Sequence, residues 1–182
     1  MKMKHLSLFL IALSLFGCLS TETGQTNADG KKAEAFYKSG LQHLQSGGLD
    51  KAIADFTEAI SLNPNYIEAY IDRGAAYYYS EKEESAIDDF TKALSLNPDQ
   101  RLTTAAYNGR GSAYYFLGDY DNALSDLNKA IELWPDTDEH YFMRGQLYRK
   151  IGEMDKAIAD WGEALRINPN NADARKAIDS AR

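Results

Sequence analysis

A single cysteine, Cys18, stands in a chain of 182 residues. One thiol closes no internal disulfide and builds no Cys-based zinc site. Histidine is nearly as scarce, and three copies argue against a metal centre made of several imidazoles. Positive charge is also short. The 20 Lys and Arg face 27 Asp and Glu, for a formal charge of −7. Phosphate backbones are held by clustered cations, so nucleic acid is disfavoured as a partner. Catalytic motifs are missing too: there is no HExxH, no GxxxxGKS/T and no GxSxG. Gly109-Arg110-Gly111 lies in a helical stretch with no strand before it, which excludes a phosphate loop. The acid pairs Glu83-Glu84 and Asp88-Asp89 occupy successive helical positions and do not face each other, so no carboxylate dyad forms. His43 takes a packing position, and His140 opens a helix and is expected in solvent. The chain reads as a non-enzyme, with no cofactor, metal or small-molecule substrate expected. At 44% hydrophobic and 26% charged residues it still has material for a core.

What is present begins with an address. Met1-Lys2-Met3-Lys4-His5 precedes an apolar run of eleven residues, Leu6 to Phe16. A basic start before a short apolar run reads as a secretory signal. The run is too short for a membrane helix, which needs about 20 residues. It closes on Leu15-Phe16-Gly17-Cys18. Leucine at −3, a small residue at −1 and cysteine at +1 resemble the lipobox of bacterial lipoproteins. That resemblance implies cleavage of residues 1–17 and a diacylglyceryl group on the Cys18 thiol. Leu19, in place of aspartate, implies the outer membrane, facing the periplasm. The other reading is ordinary cleavage after Ser20. Loss of residues 1–17 removes Lys2 and Lys4 and no acid, which deepens the charge from −7 to −9. Residues 18–32 then form the lipidated N-terminus and a polar tether, whose composition cannot offset the entropy of ordering.

From Ala33 the chain repeats itself. The four prolines fall at 64, 98, 135 and 169, with spacings of 34, 37 and 34. Alignment on proline brings glycine into one column (Gly40, Gly74, Gly111, Gly145) and alanine into two (Ala52, Ala86, Ala123, Ala157; Ala59, Ala93, Ala130, Ala164). A fourth column is large and apolar: Phe56, Phe90, Leu127, Trp161. These columns resemble the tetratricopeptide repeat, a helix–turn–helix unit. The resemblance implies an all-α, right-handed α-solenoid of four units, 33–66, 67–100, 104–137 and 138–171. The insert Arg101-Leu102-Thr103 separates the second and third, and a capping helix spans 172–182. A mid-helix glycine costs about 1 kcal/mol against alanine. Its recurrence at one column implies close helix–helix approach, with glycine and alanine as holes and the large residues as knobs.

Arrays of this family bind partner proteins or peptides on a concave face lined by the first helix of each repeat. The resemblance places Tyr37, Leu41, Ile71, Tyr78, Tyr79, Asn108, Tyr115, Phe116, Phe142 and Arg149 in such a groove. Tyr78, Tyr79, Tyr115 and Phe116 would form an aromatic centre, suited to anchoring a partner with little entropy loss. The lysine and asparagine that clamp acidic tails in chaperone-binding relatives are absent, since Tyr37 and Leu41 stand in those places. The expectation is a lipid-anchored interaction module that serves as an envelope scaffold or adaptor. The alternative is an accessory subunit packed into a larger envelope complex, without a free groove.

A polar ladder is also expected. Arg73, Arg110 and Arg144 stand at repeat position 7, and Asp55, Asp89, Asp126 and Asp160 at position 23. An arginine so placed is partly buried and needs a carboxylate. Repeat 1 has Ser39 at position 7, yet keeps Asp55. A pairing between repeats uses Asp55 and leaves Asp160 to Arg175 of the cap. The expected pairs are therefore Arg73–Asp55, Arg110–Asp89 and Arg144–Asp126.

Overall fold

The helical segments of each repeat are apolar along one stripe only, so none is covered until it meets a neighbour. The computed structural model describes residues 28–181, and among them every regular element is a helix. Cys18 and the apolar run before it lie outside the described residues. The helices follow as four pairs: α1 (28–45) with α2 (Leu49–Leu62), α3 (Ile67–Tyr79) with α4 (Glu83–Ser95), α5 (Gln100–Leu117) with α6 (Tyr120–Leu133), and α7 (Asp138–Lys150) with α8 (Met154–Ile167). The final helix, α9 (Ala172–Ala181), buries Ala174 and Ala177 against α8. Asn171 caps it, its Oδ1 accepting from the Ala174 N–H at 2.8 Å. Each helix packs on the next, and the first helices also meet across repeats, α3 with α5 and α5 with α7. The result is an all-α solenoid.

The glycine column has a steric cause. A Cβ at Gly40 would lie 2.6 Å from the Phe56 ring, at Gly74 3.1 Å from Phe90, at Gly111 3.0 Å from Leu127 and at Gly145 2.5 Å from Trp161. The hole in each first helix thus receives the knob of its own second helix. Phe56, Leu127 and Trp161 are among the most deeply buried side chains. The turn inside each repeat needs a left-handed residue, supplied by Gly47, Gly118 and Gly152 at φ +76°, +87° and +86°. Repeat 2 places Glu81 there at φ +57°, a conformation that costs an L-residue about 1–2 kcal/mol.

Two boundaries differ from expectation. Residues 28–32, assigned above to the tether, are helical and belong to α1. Adding residues to an existing helix fixes one residue per hydrogen bond, which is far easier than nucleation, so even Ala-Asp-Gly-Lys-Lys is recruited. The insert 101–103, expected between two repeats, is helical as well. Asp99 caps α5, its Oδ1 accepting from the Leu102 N–H at 2.8 Å, and the insert forms an extra first turn. That turn buries Leu102 in the core and sets Arg101 on the concave side.

Candidate binding groove

A cavity of about 530 Å³ opens between the first helices of repeats 2, 3 and 4. Ile71, Ala75, Tyr78 and Tyr79 enter it from α3, Arg101, Ala105, Asn108 and Ser112 from α5, and Glu139, His140 and Met143 from α7. Trp134, at the end of α6, forms part of the rim and is 44% exposed. Small side chains at Ala75, Ala105 and Ser112 open the space. At Gly109 the Phe90 ring stands where a Cβ would be, so that ring joins the lining.

Of the ten residues expected in the groove, four line this cavity: Ile71, Tyr78, Tyr79 and Asn108. Ile71 is buried, and Tyr79 is 65% exposed. Tyr115 and Phe116 reach it through ring contacts. Tyr78 meets Tyr79 at 5.3 Å and Phe116 at 5.5 Å between centroids, and Phe116 meets Tyr115 at 5.0 Å. All are edge-on arrangements, the preferred geometry for aromatic pairs. Phe116 is 58% exposed, so the cluster presents two open rings, Tyr79 and Phe116. Burial, with the charges of Tyr79, Glu139 and Glu83 added, pushes the Tyr78 hydroxyl up to about 12.

The other four expected residues lie apart. Tyr37 packs against Phe56 and Tyr66, and its hydroxyl donates to Asp72 Oδ2 at 2.7 Å, which ties repeat 1 to repeat 2. Burial, first, and that bond, second, raise the Tyr37 hydroxyl. Leu41 is half-buried and reaches no part of the cavity. Phe142 and Arg149 line a smaller depression at the C-terminal end with Gln146 and Lys176. Phe142 also packs on the terminal core, and the Arg149 guanidinium lies 5.7 Å from the Trp161 ring.

Sequence reasoning missed Arg101, Trp134, His140 and Met143 as lining residues. His140 is a correction as well. It is buried at 6% exposure, not solvated, because the chain before α7 folds over it and the Trp134 carbonyl sits 3.2 Å from its Nδ1. Burial lowers its pKa against the raising effect of that carbonyl. Among the described residues no group of His, Cys, Asp and Glu is placed to hold a metal ion.

The ladder is paired differently from the expectation. Arg73, Arg110 and Arg144 each grip the aspartate of their own repeat, Asp89, Asp126 and Asp160, and not Asp55, Asp89 and Asp126. Arg73 Nε and Nη2 donate to Asp89 at 2.7 Å each. Arg110 does so to Asp126 at 2.7 and 3.0 Å, and Arg144 to Asp160 at 2.7 Å twice. The third nitrogen crosses to the preceding repeat: Nη1 donates to Thr57 Oγ1 from Arg73, to Thr91 Oγ1 from Arg110 and to Asn128 Oδ1 from Arg144. Each guanidinium also lies 5.6–6.0 Å from two tyrosine rings of its own helix. Asp55 is not left over. In repeat 1, where Ser39 stands at the arginine position, His43 one turn further on partners the aspartate, with Nδ1 2.9 Å from Asp55 Oδ2. Nor does Arg175 reach Asp160; it donates to the Pro169 carbonyl.

Three models of the tetratricopeptide repeat match the chain, over residues 40–80, 67–100 and 108–172, and together they span more than half of it. A comparison with curated proteins finds no match. Several solved structures are similar. One is TTC0263, a thermophilic TPR protein in Thermus thermophilus. It is 25% identical with a TM-score of 0.72, and the match covers 97% of this chain and 95% of that one. MamA is 27% identical with a TM-score of 0.68, covering 78% of this chain and 81% of that one. The APC/C hetero-tetramer Cut9-Hcn1 is 23% identical with a TM-score of 0.76, covering 80% of this chain and 29% of that one, a likeness of fold alone.

Proposed function

The chain belongs to the tetratricopeptide-repeat family, and from that premise we propose that it is a non-enzymatic interaction module, anchored to a bacterial envelope membrane. It holds a partner polypeptide in the groove formed by α3, α5 and α7. One observation carries the reading: the concave cavity opens beside a ring cluster whose Tyr79 and Phe116 remain exposed. Large rings left in water at a concave site are anchors awaiting a surface to cover them. The anchor part of the reading rests on Cys18 after a short apolar run. Among the described residues no helix is long and apolar enough to cross a membrane. A lipid chain on Cys18 together with a second membrane contact or acyl chain gives stable attachment.

A photo-crosslinking amino acid at position 79 or 116, in cells of the native host, tests the groove. Adducts with a polypeptide are expected there and not from position 129 on the second helix of repeat 3. Adducts from position 129 alone would sink the reading. Mass spectrometry tests the anchor: an acylated Cys18 as the mature N-terminus is expected, and release of a Cys18→Ser variant from membranes. An unmodified N-terminus at Thr21 would refute it.

A further inference from the structure

The chemistry of the cavity specifies more about the partner, an inference that rests on the groove reading above. The lining carries polar groups that have no partner among the described residues. Asn108 lines the space, but its Oδ1 is shut off from solvent and has no partner among the described residues. His140 Nδ1 faces a carbonyl oxygen and must therefore donate, which leaves Nε2 an acceptor with no partner among the described residues. The exposed Glu139 carboxylate makes neither an ion pair nor a hydrogen bond among them. An aliphatic side chain entering this space would cover the His140 acceptor without satisfying it, and each buried unsatisfied group opposes binding.

The surroundings are aromatic and negative. Tyr78 and Trp134 present ring surface to the space. Glu83 and Glu139 add to the burial that raises the Tyr78 hydroxyl, and burial with the Glu68 charge raises the nearby Asp72 carboxyl. Arg101 is the only lysine or arginine of the lining, and its charge is partly offset by Asp72. These groups favour a ligand that donates hydrogen bonds, carries positive charge and stacks on rings.

We propose that the cavity receives a basic side chain of the partner, arginine by preference. Its aliphatic stem would lie along Ile71 and Met143 and its guanidinium against Tyr78 and Trp134, with its N–H groups directed to Glu139 and His140. A planar guanidinium stacks on aromatic faces and supplies several donors in fixed directions, whereas an ammonium supplies three about one point. A volume of about 530 Å³ admits such a side chain together with part of its backbone. An acidic side chain would meet the Glu139 carboxylate and the His140 acceptor, with Arg101 as the one cation of the lining in its favour.

The test is a titration of the ¹⁵N-labelled full chain with N-acetyl-arginine methylamide and its lysine, leucine and glutamate counterparts, followed by NMR. The arginine compound is expected to shift the Trp134 indole N–H and the Asn108 side-chain amide saturably, and the lysine compound more weakly. Glu139→Gln is expected to weaken the arginine response about tenfold while leaving the rest of the spectrum in place. A preference for the glutamate compound, an arginine response indifferent to Glu139→Gln, or no shift at these two groups would overturn the proposal. Should the leucine compound move the same resonances as strongly, the cationic assignment falls and the groove reading stands. Should no compound reach the groove and the crosslinks at 79 and 116 also fail, both fall.

Discussion

Replacing Arg110 by methionine isolates what the ladder contributes. The guanidinium makes two bonds to Asp126 and one to Thr91, between the rings of Tyr107 and Tyr114. The arginine side chain is 17% exposed and the aspartate 8%, so water reaches the pair only in part. Removal of the cation leaves the Asp126 carboxylate without a counter-charge. For a fully buried pair that costs about 3–5 kcal/mol, and the partial access of water places this one near the lower end, about 3 kcal/mol. In a domain of this size the loss corresponds to a Tm lower by about 6–12 °C. The variant Arg110→Met with Asp126→Leu should recover at least half of the loss, because the unpaired charge is gone. By contrast, His43→Leu in repeat 1 breaks a pair whose side chains are 37% and 20% exposed, and should cost under about 1 kcal/mol. Urea denaturation followed by circular dichroism and by the fluorescence of Trp134 and Trp161 measures all of these. Divergence of the two signals would mark the array splitting into separately melting parts. A loss below about 1 kcal/mol in Arg110→Met, or a double variant as weak as the sum of its singles, would refute the reasoning.

Other outcomes follow from the same contacts. Gly74→Leu drives a branched side chain into the Phe90 ring, where a Cβ alone would already stand at 3.1 Å; it should cost about 3 kcal/mol or more, and an unchanged melting temperature would refute the knob-in-hole account. Asp72→Asn keeps an acceptor for the Tyr37 hydroxyl but removes a carboxylate whose pKa burial raises above 3.8. It should therefore stabilise the fold near pH 7, and the gain should fade as acid protonates the wild-type group; a gain independent of pH would contradict this. His140 has its pKa lowered by burial, so the unfolded chain takes up its proton first. Stability should begin to fall as pH drops through about 6.5, and His140→Gln should flatten that part of the pH profile.

The repeat boundaries were legible because proline, glycine and alanine fill steric roles that few other residues can take. Each large residue at the Phe56 column needs its hole at the Gly40 column, so the two columns were visible together. The pairing of the ladder was harder. Positions 7 and 23 are compatible with contact inside a repeat or between repeats, and the choice depends on how far apart the helices lie, which the sequence does not state. A clue was present two residues further on. Thr57, Thr91 and Asn128 offer a side-chain oxygen to the next repeat's arginine, and the last repeat, with no arginine to follow, has Gly162 instead. His43, read from the sequence as a packing residue, was likewise the substitute partner that explains Asp55. The cavity was only half legible. Its α3 and α5 walls came from the repeat columns, whereas Arg101 required knowing that an insert would lengthen a helix. Trp134 and His140 required knowing that the segment before α7 folds back.

The extra turn of α5 also settles a question of translation. A stack of equal units offers an extended ligand several equivalent landing places, each one repeat further along, and a partner with a simple pattern would be bound in all of them at once. Here the spacing of 34, 37 and 34 breaks the sequence of equal steps at its middle. Only one place along the array has Arg101 on its rim, the Phe90 ring in its lining and Tyr78 against Phe116 at its mouth. A ligand shifted by one unit in either direction loses all three. On the proposed groove reading, the irregularity would work as a keyway on an otherwise uniform shaft, so that a partner would seat at one address on the solenoid and in one frame.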